Sequence, residues 1–272
     1  MTKAVRQMQE DIKLIDLIIE IADARIPISS RNPDIDKLAG NKPRLVLLNK
    51  SDLSDPKIND LFIEDFKKKG VYALKIDSKN KEGFKKITEE VKKACAEKIE
   101  RDKKKGIKNR PLRAMVVGIP NVGKSTFINA FTGSAGAKTG NKPGVTKGKQ
   151  WIRLNKDIEL LDTPGILWPK FESEEIGRNL ALIGSINDDI LDQTELASFG
   201  IDFLRENYPD LLKERYKIEL DENKKSYELL EEIAVLRNYL VKGGNGDTLR
   251  MAGVFMEEFR NGKIGRFSLE RP

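Results

Sequence analysis

Two short runs of residues carry most of the chemistry in this chain. Gly118-Ile119-Pro120-Asn121-Val122-Gly123-Lys124-Ser125 fits the phosphate-cradling pattern G-x-x-x-x-G-K-[ST]. The backbone N–H groups of such a loop, here Asn121, Val122, Gly123 and on to Thr126, converge on a phosphate at a helix N-terminus. Lys124 suits the β- and γ-phosphates, and the Ser125 hydroxyl suits Mg²⁺. Asn49-Lys50-Ser51-Asp52 fits N-K-x-D, a pattern that reads guanine. The Asp52 carboxylate can accept from guanine N1–H and the exocyclic amine, a donor pair that adenine lacks. The Lys50 stem can cover the base. Alone, this tetrapeptide also describes a solvated turn; beside a phosphate loop the binding reading prevails.

Further residues fall at consistent spacings. Asp162-Thr163-Pro164-Gly165 ends an apolar run 37 residues after Ser125. A D-x-x-G at that distance uses the Asp162 carboxylate for the Mg²⁺ shell and the Gly165 amide for the γ-phosphate. Between the two lies Lys142-Pro143-Gly144-Val145-Thr146, where Thr146 is placed to join Mg²⁺ when a γ-phosphate is present. A plain loop is the competing reading there, because Gly, Pro and Thr are common loop residues. Asp77-Ser78-Lys79-Asn80 stands where nucleotide-binding folds of this kind carry a loose S-A-K, so the Ser78 amide is a candidate for the guanine O6.

The order of these motifs is unusual. In an ordinary GTPase the phosphate loop comes first; here the guanine motif precedes it by 69 residues. One domain with a circularly permuted chain accounts for this, and permutation is tolerated where termini lie close together at the surface.

The elements that must position these residues follow from local pattern. Leu14–Ala22, Arg44–Leu48, Val71–Ile76 and Arg113–Val117 read as buried strands, each ending at a motif. Residues 1–13 read as a helix. Pro56–Lys69 reads as a second, with Asp55 as cap, Pro56 at its first position and Gly70 beyond its end. Gly83–Lys105 reads as one long basic helix, and a helix begins at Gly123. Gln150–Leu154 and Ile158–Leu161 form an expected hairpin. Strands alternating with helices give an α/β fold with a mostly parallel sheet over residues 1–170. From Ser173 the spacing is helical, with a final helix over Thr248–Arg260, so residues 175–272 read as an all-helical domain.

Composition bounds the rest. The chain has 272 residues, 39% hydrophobic and 34% charged, and no run approaches a membrane span. With one cysteine, Cys95, and no histidine, a disulfide, a Cys-rich zinc site and a Ser-His-Asp triad are excluded within the chain. A soluble protein of a reducing cytoplasm is expected. The net charge of +7 is unevenly spread: residues 1–170 carry +14 and residues 171–272 carry −7. A basic half suits a polyanion such as RNA, although a Lys-rich helix is also an ordinary solvated surface. Lys103-Lys104-Lys105 is the densest cluster; Arg260, Lys263 and Arg266 are local candidates in the acidic half.

The motif order, together with Asp23-Ala24-Arg25-Ile26-Pro27, Asp162-Thr163-Pro164-Gly165-Ile166-Leu167-Trp168-Pro169 and Gly265-Arg266-Phe267, resembles the ribosome biogenesis GTPase A (YlqF/RbgA) family of circularly permuted GTPases. The likeness runs essentially the whole length. It implies GTP and GDP as ligands, hydrolysis assisted by Mg²⁺, and a role in late assembly of the large ribosomal subunit, with the helical domain contributing to rRNA binding. It gives no physical reason for Asp23-Ala24-Arg25, which could equally be a structural corner. Two points bear on rate. Ile166 follows D-x-x-G where many GTPases place a water-orienting Gln. The family's proposed catalytic histidine lies in an N-terminal W-F-P-G-H segment, whereas this chain starts at Met1-Thr2-Lys3-Ala4 and holds no histidine. A truncated start and slow intrinsic turnover are therefore expected. Asn121 matches a position that ligates K⁺ in several related GTPases, where the ion neutralises transition-state charge; a turn-capping Asn is the alternative. Two other functions stay open on the residues alone: an RNA-binding module with a vestigial nucleotide site, and a P-loop kinase, which leaves Asn49–Asp52 without a purpose.

Overall fold

The computed structural model describes residues 3–107, 110–132, 151–162, 173–186, 192–221 and 223–272. Its contacts group residues 1–170 with 270–272 in one unit and residues 171–269 in a second.

The first unit runs α1 (Lys3–Ile12), β1 (Leu17–Asp23), α2 (Pro33–Ala39), β2 (Arg44–Asn49), α3 (Pro56–Lys68), β3 (Tyr72–Lys75), α4 (Phe84–Ala94), α5 (Ala96–Lys104), β4 (Leu112–Val117), α6 (Lys124–Thr132), β5 (Trp151–Arg153) and β6 (Ile158–Asp162). The strands form one sheet in the order β3-β2-β1-β4-β6-β5. All neighbours are parallel except β5, which returns antiparallel beside β6. The chain winds outward from β1 to β3, then crosses back to lay β4 against the other edge of β1. Strand order reverses between β1 and β4, and ligands of open parallel sheets bind beyond the carboxyl ends of strands at such a point.

Local chemistry explains the elements. β1 is buried at every position, as a central parallel strand flanked on both faces must be. Its one charge in mid-strand, Glu20, is met by Arg31, whose Nε and Nη2 both lie 2.8 Å from Oε2. In α3 the Asp55 carboxylate accepts from Lys57 N–H at 2.9 Å, and Pro56 occupies the first turn, where no N–H is needed. Phe62 and Phe66 of α3 pack on Ala22, Val46 and Leu48, while Met8, Ile12 and Ile35 of the first two helices gather with Ile18, Met115, Val117 and Leu161. Phe84, Phe127 and Phe131 form an aromatic cluster joining α4 to α6, with ring centroids 5.3–5.6 Å apart.

The long basic helix expected over 83–105 is two helices. Ile87, Val91 and Cys95 form one buried stripe, and the helix breaks at Cys95, with φ −101° and ψ 16°. Beyond it α5 buries no residue, so the apolar stripe of α4 does not continue along it. One helix lacked an expectation altogether: α2, capped by the Asn32 side chain on Asp34 N–H at 2.9 Å.

The second unit holds α7 (Glu174–Leu182), α8 (Gln193–Asn207), α9 (Pro209–Tyr216), α10 (Ser226–Leu236) and α11 (Thr248–Arg260). Leu196, Ile201, Leu230, Ile233, Phe255, Phe259 and Phe267 centre its core. Glu258 is buried among donors: Arg215 Nε at 3.0 Å, Tyr216 OH at 2.9 Å and Arg237 Nη1 at 3.0 Å. A carboxylate so supplied stays ionised at low solvent exposure.

Candidate nucleotide site

Each motif sits where a parallel strand ends. Asp23 closes β1, Asn49 closes β2, Asp77 and Ser78 follow β3, and Gly118 follows β4. All four therefore share the carboxyl edge of the sheet. Asp162 ends β6 at the same edge.

One side chain ties three of the motifs together. Asn49 is 2% exposed. Its Nδ2 donates to the Val122 carbonyl of the phosphate loop at 2.7 Å. Its Oδ1 accepts from the Ser78 N–H at 3.0 Å, so the amide expected to meet guanine O6 is instead engaged within the protein. A single buried amide thus satisfies both ends and fixes the distance between the phosphate loop and the guanine-side loop. Gly123 makes the approach possible: its φ is +94°, and a Cβ there would lie 2.4 Å from Asn49 Nδ2. Asn121, at φ 63°, and Lys50, at φ 59°, are also in the left-handed region. Such backbone recurs at ligand sites because the surroundings hold it there.

The guanine side is built by hydrogen bonds. Asp77, itself buried, accepts from Lys79 N–H at 2.8 Å and Asn80 N–H at 3.2 Å, and its second oxygen accepts from Asn80 Nδ2 at 2.6 Å. Ser51 N–H donates to the Ile76 carbonyl at 3.1 Å, which joins the two loops. Asp52 is exposed, yet local desolvation and the neighbouring Asp77 push its carboxyl above the ordinary carboxylate value. A donor pair arriving at Asp52 would relieve that cost. The Ser78 hydroxyl is buried with no hydrogen-bond partner among the described residues. Both groups retain hydrogen-bonding capacity at this edge of the sheet.

The phosphate side is equally formed. α6 begins at Lys124, so the N–H groups of its first turn, including Ser125 and Thr126, open toward the loop. Ser125 and Lys124 are half-buried and Thr126 is exposed. The expectations on Thr146, Gly165 and the Asp162 side chain lie outside the described residues.

The described motif residues thus share one sheet and one edge. The chain is 47% identical to the ribosome biogenesis GTPase A of Priestia megaterium, with all of this chain and 94% of the relative covered. The chain belongs to the ribosome biogenesis GTPase A family. A model described as 50S ribosome-binding GTPase matches residues 113–233. Among solved structures, GNP-bound YlqF from T. maritima is similar at a TM-score of 0.65 and 29% identity, covering 100% of this chain and 99% of the other. A GDP-bound YlqF structure gives 0.67 and 28%, covering 98% and 99%. This chain is accordingly a GTPase with a guanine nucleotide as ligand.

Residue patterns missed one part of the site. Asp23 and Arg25, the corner without a physical reason, sit against the guanine motif: Lys50 Nζ lies 3.0 Å from Asp23 Oδ2, and Arg25 Nη2 lies 2.9 Å from the same oxygen. A carboxylate at the end of a fully buried strand, two residues before an arginine, was the signal available. The basic cluster of the second unit also changes meaning. Arg260 donates to the carbonyls of Ala181 at 2.7 Å and Leu182 at 3.2 Å, so it caps α7, and Lys263 pairs with Glu257 at 3.0 Å. Among the described residues no helix is long and apolar enough to cross a membrane.

Proposed function

We propose that this chain is a GTP-hydrolysing switch in assembly of the large ribosomal subunit, and that its nucleotide state sets its affinity for rRNA. The observation that carries this is the Asn49 bridge, 2.7 Å to Val122 O and 3.0 Å from Ser78 N. It joins a phosphate loop to a guanine-reading loop in a chain whose relatives are named for ribosome biogenesis. Asp52 reads the base edge and Lys50 covers the ring; with the Ser78 N–H held by Asn49, the Ser78 hydroxyl is the group left to meet the O6. Lys124 and the first-turn amides of α6 neutralise the phosphates, the part of phosphoryl transfer that a protein chiefly supplies.

By residue type, Ser125, Thr146 and Asp162 would supply only oxygen donors, which suit a hard cation such as Mg²⁺. When bound, that ion would draw charge from the β- and γ-phosphates. The Gly165 amide would serve the γ-phosphate. Asn121, on the phosphate loop, is the candidate K⁺ ligand. Ile166 offers no hydrogen bond to water, so turnover depends on orientation supplied by the bound subunit.

RNA contact draws on the basic first unit as well as on the helical second one. α5 buries no residue, and Lys103 and Lys104 end it with Lys105 as its cap. A polar helix with no face in the core is suited to a polyanionic partner. The test is co-sedimentation with large ribosomal subunits in a non-hydrolysable GTP analogue and in GDP. The account expects tighter association in one nucleotide state; equal association in both refutes the switch.

A further inference from the structure

The Asp23-Ala24-Arg25 corner has more structure than a strand end needs. Asp23 is 0% exposed and Arg25 is 1% exposed. The guanidinium grips the carboxylate with two bonds, Nε to Oδ1 and Nη2 to Oδ2, each 2.9 Å. The Arg25 backbone N–H adds a third, 3.1 Å to Oδ1. The Asp23 N–H donates to Ser30 Oγ at 2.9 Å, and that hydroxyl donates to the Ile26 carbonyl at 2.6 Å. The carboxylate is therefore fixed in position and orientation before Lys50 is considered. Burial alone would raise its pKa; the cations Arg25 and Lys50 overcome this and hold it well below the ordinary carboxylate range.

Lys50 comes from the other strand end. The Ala24 N–H donates to the Asn49 carbonyl at 2.8 Å, so the two corners are in register. The left-handed backbone of Lys50 carries its side chain back to Asp23, where Nζ meets Oδ2 at 3.0 Å. The lysine is 26% exposed along its side chain. A lysine stem in such a place samples many rotamers unless its ammonium is held, and holding one end of a flexible contact before binding removes part of the ordering cost.

We propose that Asp23, locked by Arg25, is a positioning residue of the nucleotide site: it tethers the Lys50 ammonium so that the lysine stem is preset to cover the guanine base. This rests on the guanine reading of Asn49 to Asp52. Arg25 contributes twice, because its charge also favours the ionised form of Asp52.

The test is a double-mutant cycle read by GDP titration and by GTP kinetics. The variants are Asp23→Asn, Lys50→Met, which keeps a stem without the ammonium, and the two combined. Each single variant is expected to weaken GDP by about tenfold, the size of one charge-assisted hydrogen bond. The combined variant should be no weaker than either single one, because the two changes remove the same tether. The KM for GTP should rise while kcat at saturation stays, since the phosphate loop is untouched. A general collapse of the strand end would lower both kcat and the melting temperature.

Additive losses in the combined variant, or parental GDP affinity in Lys50→Met, overturn the proposal. Should Asp23→Asn fail to fold, Lys50→Arg replaces it in the comparison. Arginine can keep the ion pair to Asp23, so affinity should survive in Lys50→Arg and fall in Lys50→Met. Equal loss in both overturns the tether. An Asp52→Asn arm separates the two levels of argument. If it leaves GDP binding intact, the guanine reading itself is wrong; if it alone weakens GDP, the reading stands and the tether falls.

Discussion

Alanine in place of Gly123 tests whether the site is held together as described. Gly123 has φ +94°, and an added Cβ would sit 2.4 Å from Asn49 Nδ2. Two costs follow. Holding a non-glycine residue in such backbone costs roughly 1–3 kcal/mol. The Asn49 amide must also move, which breaks its 2.7 Å bond to the Val122 carbonyl. Stranding a buried donor and acceptor in this way costs roughly 1–3 kcal/mol. The sum is about 2–6 kcal/mol, shared between fold and ligand according to which state relaxes more easily. Because Asn49 Oδ1 also accepts from the Ser78 N–H, the disturbance should reach the base side as well as the phosphate side. Calorimetric titration with GDP should show a dissociation constant raised by about 30-fold or more if the cost falls on binding. Thermal unfolding should show a fall of about 4 °C or more if it falls on the fold. A variant with parental GDP affinity and parental melting temperature would refute the claim that Gly123 exists to admit Asn49.

Other outcomes follow from the same geometry. Asp52→Asn should lose GTP and gain xanthosine triphosphate, a change of a few kcal/mol in preference because a bidentate contact is exchanged for its complement; competition titration reads it. Affinity for GTP should fall as pH drops through the raised Asp52 pKa, since the base donors need the carboxylate, and should be complete above it. The same raised value means that ionising Asp52 costs the empty folded state, so stability without nucleotide declines slightly as pH rises through it; Asp23, whose pKa is lowered, stays charged throughout. Replacing Lys103, Lys104 and Lys105 with Ala should weaken subunit binding and lower the salt slope by about 2–3 units, with GTP affinity unchanged; a salt-series titration decides. Glu270→Ala removes the carboxylate that accepts from the Ile28 N–H at 2.6 Å and the Ser29 N–H at 3.0 Å, and calorimetry should register a loss of about 1–3 kcal/mol.

How far residues alone revealed the site depends on the reach of each contact. The phosphate loop was legible because its work is done by consecutive backbone groups between Gly118 and Ser125, at the foot of a strand whose apolar run is equally local. Asn49 and Asp52 were legible as a pattern, but not the Asn49 bridge to Val122, which spans 73 positions. The Asp23–Lys50 pair was hidden for the same reason: it joins the ends of two neighbouring strands, and nothing local in either says which side chain meets which. Glu270 reaches Ser29 across 241 positions. The basic run after Gly83 failed differently. Helical propensity continues through Cys95, whereas the apolar stripe that holds α4 to the sheet stops there, and burial rather than propensity decides where a helix bends.

The most direct test of the account is GTP turnover, measured with and without large ribosomal subunits and in potassium or sodium buffers of equal ionic strength. Slow turnover alone, faster turnover with subunits, a further gain in potassium that Asn121→Ala removes, and no comparable use of ATP are the predicted results. Turnover of ATP and GTP at the same rate would contradict the guanine assignment. Turnover indifferent to subunits would contradict the assembly role.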